Sequence, residues 1–418
     1  MRRSTCVVFL TTLGFFGTLA ACVGDDPVTL STTTATPEAG TSVDASGGAD
    51  SATLPPDSGV DAAPSCASPT QACGQSCVDV TKDAAHCGRC GHDCAGGACT
   101  GGLCQPLTLT KNTNPPLNTS RISTDGTSVC WTIAANPGSV YCVGAAAAAQ
   151  APTEVAAGKR PGPVLVRAGK VLWTEQGATT STLRLMTGTP GTPASGTPLR
   201  DWAADATVSR YDGYQLDMVG TLPYLSWTES IVADGSYALQ VVKCNDAACA
   251  SYTKTHTVPG SSAASLETRA NGMASDAAAV YVTYGGSPTG SVARVAGSAG
   301  VAVLASSEVD PRTLSVDNGF AYWDTNTFKI RRSPVGAPVP TDVSTPLGNV
   351  LGLVAHGDTV YWTEIGGTGV YMAPAAGGAR SVYLAGDPTD EPGPLAHDDK
   401  ALYWSDKSTG AVRKIAFK

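Results

Sequence analysis

The sequence predicts an all-β protein: a seven-bladed β-propeller preceded by a small disulfide-rich module and a disordered tether. Three observations lead there. A turn, then a β-rich run ending in Tyr-Trp-Thr-Glu or a near copy, returns at Trp131, Trp173, Trp227, Val282, Trp323, Trp362 and Trp404. The spacings, by subtraction, are 42, 54, 55, 41, 39 and 42 residues, the period of blades with four short strands each. Eight cysteines fall between Cys66 and Cys104 in a stretch nearly devoid of apolar side chains. Residues 23–65 hold no aromatic residue, no Lys and no Arg, so they cannot bury enough apolar surface to fold.

Residues 1–21 read as an export signal. Arg2 and Arg3 are the positive start, and Val7 to Phe16 is an apolar run too short to span a bilayer. Leu19-Ala20-Ala21-Cys22 follows. Small residues before a cysteine resemble a bacterial lipobox, which implies that Cys22 is acylated and becomes the mature N-terminus. An ordinary signal-peptidase site is the alternative. Val23 stands where an inner-membrane retention signal would place Asp, so the resemblance implies a lipid anchor in the bacterial outer membrane. Residues 22–65 are then a disordered lipoprotein tether.

Residues 66–104 form the cysteine module: Cys66, Cys73, Cys77, Cys87, Cys90, Cys94, Cys99 and Cys104. So small a domain without an apolar core needs staples. Cys87-x-x-Cys90 with His86 and His92 has spacing that suits zinc. Export and an even count favour four disulfides, with the connectivity open. The run Cys-Gly-x-x-Cys-Val-Asp followed by His-Cys-Gly-x-Cys-Gly-x-x-Cys resembles a short module common in secreted proteins and lipoproteins of myxobacteria. That resemblance implies no catalytic residues.

Residues 105–418 carry the repeats. Each has an apolar strand, a turn rich in Asp, Asn and Gly, and a second strand bearing the Trp; a third and a fourth strand follow. In Val-Tyr-Trp-Thr-Glu, side chains alternate between faces, and large residues on both suit a sheet packed between two neighbours. The repeats resemble the Tyr-Trp-Thr-Asp propeller class and NHL-type propellers, closely at Trp173, Trp227, Trp362 and Trp404 and less so at Trp131, Trp323 and Val282. The last repeat has only three strands before Lys418, while Pro106 to Lys111 is an orphan strand. Residues 106–111 are therefore expected to complete the seventh blade and remove its free edge. Cys130 with Cys142, and Cys244 with Cys249, are expected to be disulfides within blades.

Function is less legible. With the signal removed, 35 acids stand against 27 − 2 = 25 bases, a net charge of −10, which argues against a nucleic-acid partner. Only His256, His356 and His397 lie in the ring. His356, His397 and Asp398 are weak metal candidates, because turn residues are wanted at those positions anyway. The Glu175, Glu229, Glu364 and Asp406 column reads as structural. Neither a nucleophile elbow nor a phosphate loop is present, so no catalytic residue and no cofactor is assigned. The expectation is an envelope-anchored binding or scaffold lipoprotein that displays a propeller to an envelope protein, peptide or glycan. The alternative is an exported propeller enzyme, a hydrolase or lyase, with a polar pocket on the ring. Cys22→Ser is expected to move the protein from the membrane fraction to the soluble fraction on immunoblots. A variant that still sediments with membranes would contradict the lipid anchor.

Overall fold

The computed structural model describes residues 64–111, 119–158, 160–176, 182–259, 269–286, 290–296 and 300–418. The signal, Cys22 and almost all of the tether lie outside them. The described residues fall within one compact unit, Ala62–Lys418, built of strands and turns and no helix.

Seven four-stranded antiparallel sheets follow one another along the chain, six of them simple meanders. The seventh is Pro392–His397, Ala401–Asp406, Ala411–Ala416 and, as its outer strand, Leu107–Lys111. Ala411 faces Lys111, Val412 faces Thr110 and Lys414 faces Leu107. The start of the domain thus closes the ring on its end. Leu109 and Thr110 are fully buried there, so the closing strand is packed as well as hydrogen-bonded. It begins at Leu107, one residue later than the sequence suggested, because Pro106 has no N–H to give a ladder.

Seven apolar clusters hold the ring, one between each pair of neighbouring blades. The cluster at the closure joins Leu109, Tyr403 and Val412 of the last blade to Ile122, Val129 and Trp131 of the first. Trp131, Trp173, Trp227, Trp323, Trp362 and Trp404 are all essentially inaccessible to solvent, and Val282 fills the same slot in blade four. A Trp in this position buries about 150–250 Å², worth roughly 4–6 kcal/mol at about 25 cal/mol per Å².

Each letter of the repeat has a separate duty. The Tyr packs against the other neighbour and reaches the first turn: the Tyr281 hydroxyl donates to Asp276 at 2.6 Å, and that of Tyr403 to Asp398 at 2.7 Å. The Thr ties its blade to the next. Thr132 donates to the Gly162 carbonyl at 2.8 Å, Thr283 to Arg312 at 2.7 Å and Thr363 to Gly393 at 2.7 Å. Those contacts bring inner strands so close that side chains do not fit. A Cβ on Gly272 would stand 2.2 Å from the Arg312 carbonyl oxygen, and one on Gly352 2.4 Å from the Leu395 nitrogen. In blades three and six the acid receives the indole N–H: Trp227 donates to Glu229 at 3.0 Å and Trp362 to Glu364 at 2.7 Å, whereas among the described residues the Trp173 indole in blade two has no acceptor. Blade five has Thr325 at that position, and Glu308 from the outer strand of blade four accepts from Trp323 instead, at 3.0 Å.

The cysteine module has two two-stranded ladders and four disulfides: Cys66–Cys77, Cys73–Cys90, Cys87–Cys99 and Cys94–Cys104. Cys87, Cys94 and Cys99 are its core. The sulfurs of Cys87, Cys94 and Cys104 lie within 4.8 Å of one another, but each is bonded to another sulfur and none is the thiolate that zinc requires. In the ring, Cys130 and Cys142 face each other across the second and third strands of blade one, and Cys244–Cys249 closes a hairpin tip in blade three. The module rests against the last blade through His92, whose Nε2 lies 2.7 Å from the Phe417 carbonyl oxygen.

Removal of the closing strand leaves the last blade one strand short and takes Leu109 out of the seventh interface. A chain starting at Asn112 should melt well below one starting at Gln105 in a thermal scan. Equal melting temperatures would show that Leu107–Lys111 does not hold the ring.

Candidate functional site

The first strand of every blade lines a central channel, with a narrow waist of about 160 Å³ ringed by residues such as Ile122, Leu314, Leu353 and Leu395. At either end the channel widens. The mouth at the strand starts is a cavity of about 390 Å³, and the opposite mouth one of about 350 Å³. In six blades the first strand is bulged near its start. Bulges end the regular ladder and re-aim side chains, and here they sit at the first mouth.

That mouth is walled by Arg121, Tyr214, Gln215, Arg269, Asn271 and Leu351, with Asp310 and Arg312 on its rim. Among the described residues its lining holds no His, Cys, Ser or Lys. Arg312 is locked to Asp324, with Nη2 at 2.8 Å and Nε at 3.1 Å, and Asp324 also accepts from Thr313. Arg121 is different. Its Nη2 donates to the Gln215 side-chain oxygen at 2.8 Å and distantly to the Asn271 carbonyl at 3.4 Å. Among the described residues no carboxylate pairs with it. Burial pulls its pKa below the ordinary arginine value, since a low-dielectric setting disfavours the charged form.

The opposite mouth gathers Ser123, Arg167, Asp217, Ser275 and His397. Asp217 accepts from the Met218 N–H at 2.7 Å and from Ser275 at 3.0 Å. Burial outweighs these bonds and pushes its pKa up to about 6. His356 and His397 end their first strands side by side, with ring centroids 5.6 Å apart. Phe417 stacks on His356 at 4.0 Å. Burial lowers the His397 pKa, and its Nδ1 lies 3.1 Å from the Asp398 carbonyl oxygen. The Asp398 carboxylate receives the Lys400 and Ala401 N–H groups, each at 2.8 Å, and the Tyr403 hydroxyl. It is occupied in holding its turn, as Asp125 and Asp276 are in theirs. The structure therefore brings the two histidines together but engages Asp398 elsewhere. Glu229 and Glu364 act within their blades, and Asp406 caps its own turn through the Ser408 and Thr409 N–H groups. Sequence reading missed Arg121 and Gln215, which are 94 residues apart and carry no motif.

These features define a seven-bladed β-propeller with a disulfide-rich appendage and an open, cationic channel mouth. No family model matches the chain, and no curated protein matches it. Among solved structures it is similar to virginiamycin B lyase from Staphylococcus aureus, 15% identical, with a TM-score of 0.53 over 75% of this chain and 99% of that one. It is also similar to the β-propeller domain of Myceliophteria thermophila Cps50 (Swd1), 11% identical, with a TM-score of 0.50 over 75% of this chain and 100% of that one. At such identities the likeness shows the fold alone.

Asp217 gives a pH test. Its folded pKa of about 6 lies above the unfolded value near 3.9. Stability associated with the protonated form is thus fully present below about pH 4 and is lost as the pH rises through 6. Asp217→Asn should raise the melting temperature at pH 8 and change it little at pH 4. An equal effect at both pH values would contradict a raised pKa.

Proposed function

We propose that this chain is an envelope-anchored binding lipoprotein, held by lipid on Cys22, whose propeller meets its partner at the Arg121 mouth. One observation carries the reading: the mouth collects polar and charged groups from several blades, and its described lining residues form neither a nucleophile with a base nor an acid–base pair. A hydrolase or lyase needs such a convergent set. The loops around the mouth support recognition. Val232, Phe328, Leu347 and Ile365 are exposed by 51%, 43%, 77% and 58%. All four lie in second-to-third or fourth-to-first strand loops, which antiparallel order places on the mouth face. Single exposed apolar residues are ordinary, but four on one face beside an open cavity suit a docking surface.

The direction of the chain agrees. The module enters the ring at Leu107, opposite Lys414 at the far end of the third strand. His92 meets Phe417, which packs with His356 and His397. The module therefore sits on the face away from Arg121 and leaves the mouth clear. A partner that is a protein, peptide or glycan of the envelope fits this display. A photo-crosslinking residue at Ile365 should form adducts in intact envelopes, whereas one at Val339, on the opposite face, should not. Adducts from Val339 alone, or from neither position, would overturn the reading.

A further inference from the structure

Arg121 poses an energetic question that the fold does not answer. A guanidinium taken partly out of water is stabilised when a carboxylate pairs with it, and Arg312, which lines the same mouth, has that partner in Asp324. Arg121 has only neutral acceptors, the Gln215 side chain and the Asn271 backbone. Its Nε and Nη1 have no partner among the described residues, and neither does the Gln215 side-chain nitrogen. Gln215 is itself buried, 9% exposed. Its orientation is fixed from behind, because its oxygen is engaged by Arg121. Asn271 is fixed as well: its amide nitrogen donates to the Gly285 carbonyl at 2.8 Å and to Pro311 at 2.9 Å. The result is a forked cation with an amide beside it, held in place and facing an open cavity of about 390 Å³.

We propose that this mouth binds the carboxylate of a ligand whose body is apolar, with Arg121 as the paired cation and Gln215 as a neighbouring donor. The guanidinium fork matches a carboxylate with two parallel N–H···O bonds once the long Nη2 contact to the Asn271 carbonyl, 3.4 Å, gives way, because both parallel pairs of the fork include Nη2. The body of the ligand would lie on Pro163, Leu351 and the Tyr214 ring, which wall the same cavity. A phosphate fits less well. One uncompensated guanidinium does not neutralise a dianion, and Asp310 on the rim repels the second charge. Arg269, also on the rim and exposed, offsets Asp310 rather than adding a second site. The chemistry has two natural sources, the C-terminus of a peptide ending in an apolar residue and a short fatty acid. The proposal rests on the mouth being the binding face.

The test uses the ring with its module in a low-chloride zwitterionic buffer. Melting temperatures are read with N-acetyl-leucine, hexanoate, N-acetyl-leucinamide and phosphate. At least one carboxylate should raise the melting temperature by about 2 °C or more at saturation, and which one does so identifies the source. N-acetyl-leucinamide, which lacks only the charge, should do nothing. Arg121→Met should abolish the shift, read against that variant's own ligand-free melting temperature, since loss of the guanidinium also leaves the Gln215 oxygen without its donor. Arg121→Lys, which keeps the charge but loses the fork, should weaken binding about tenfold. No shift with either carboxylate, an equal shift with the amide or with phosphate, or a shift that survives in Arg121→Met would each overturn the proposal. A failure here with Ile365 adducts intact would remove the carboxylate and leave the binding face. Loss of both would remove the binding face too.

Discussion

The pairing of Leu107–Lys111 with Ala411–Ala416 is the constraint on which the remaining structure depends. Each blade buries one face against the blade before it and the other against the blade after it. Seven blades therefore need seven interfaces, and a row of sheets would supply one fewer. The strand from the domain's start supplies the last sheet's outer edge and, through Leu109, part of the seventh core. Closure also fixes the channel, because seven first strands must meet around one axis. The position of Arg121 opposite Gln215 and Asn271, 94 and 150 residues further on, is a consequence of that geometry.

The repeated signature works because its positions divide the physical work. Val and Trp bury one face of the sheet and the Tyr ring the other. The hydroxyl of the Tyr holds the turn, the hydroxyl of the Thr holds the next blade, and in blades three and six the acid satisfies the indole N–H of the Trp. Where one is missing, the compensation is local. Val282 keeps the apolar slot without an indole, and Tyr284 rather than an acid follows two residues later. In blade five Glu308 reaches Trp323 from another strand. Blade one has no such substitute: Ile133 occupies the acid position, and among the described residues the Trp131 indole N–H has no acceptor. Such exchanges leave the repeats recognisable but unequal.

Much of this architecture is legible in the sequence because it rests on local patterns. The Trp slots, the Asp-Gly turns and the alternation of Leu107 and Leu109 with Thr108 and Thr110 each declare a strand or a turn within a few residues. Cys130 with Cys142 and Cys244 with Cys249 follow once strands are placed. The module is different. Its four pairings depend on how turns fold back within a few residues, and spacing alone does not select Cys87–Cys99 over Cys87–Cys90. The mouth is different again. Arg121, Gln215 and Asn271 each look like an ordinary polar residue near a strand start, and only ring closure makes them neighbours. His356 and His397 show the reverse: they invite a metal reading in the sequence, yet Phe417 stacks on one ring and the carboxylate of Asp398 serves its own turn.

A ring closed through the strand at the domain's start should behave as one cooperative body. Hydrogen–deuterium exchange of the native protein, read at the amides of Leu107–Lys111 and at those of Val280–Tyr284 across the ring, tests it directly. Amides that open only with the whole fold share its free energy. The account predicts slow exchange at the ladder-bonded amides of both segments, with the same dependence on denaturant. Fast exchange at Leu107–Lys111, with Val280–Tyr284 still protected, would contradict it.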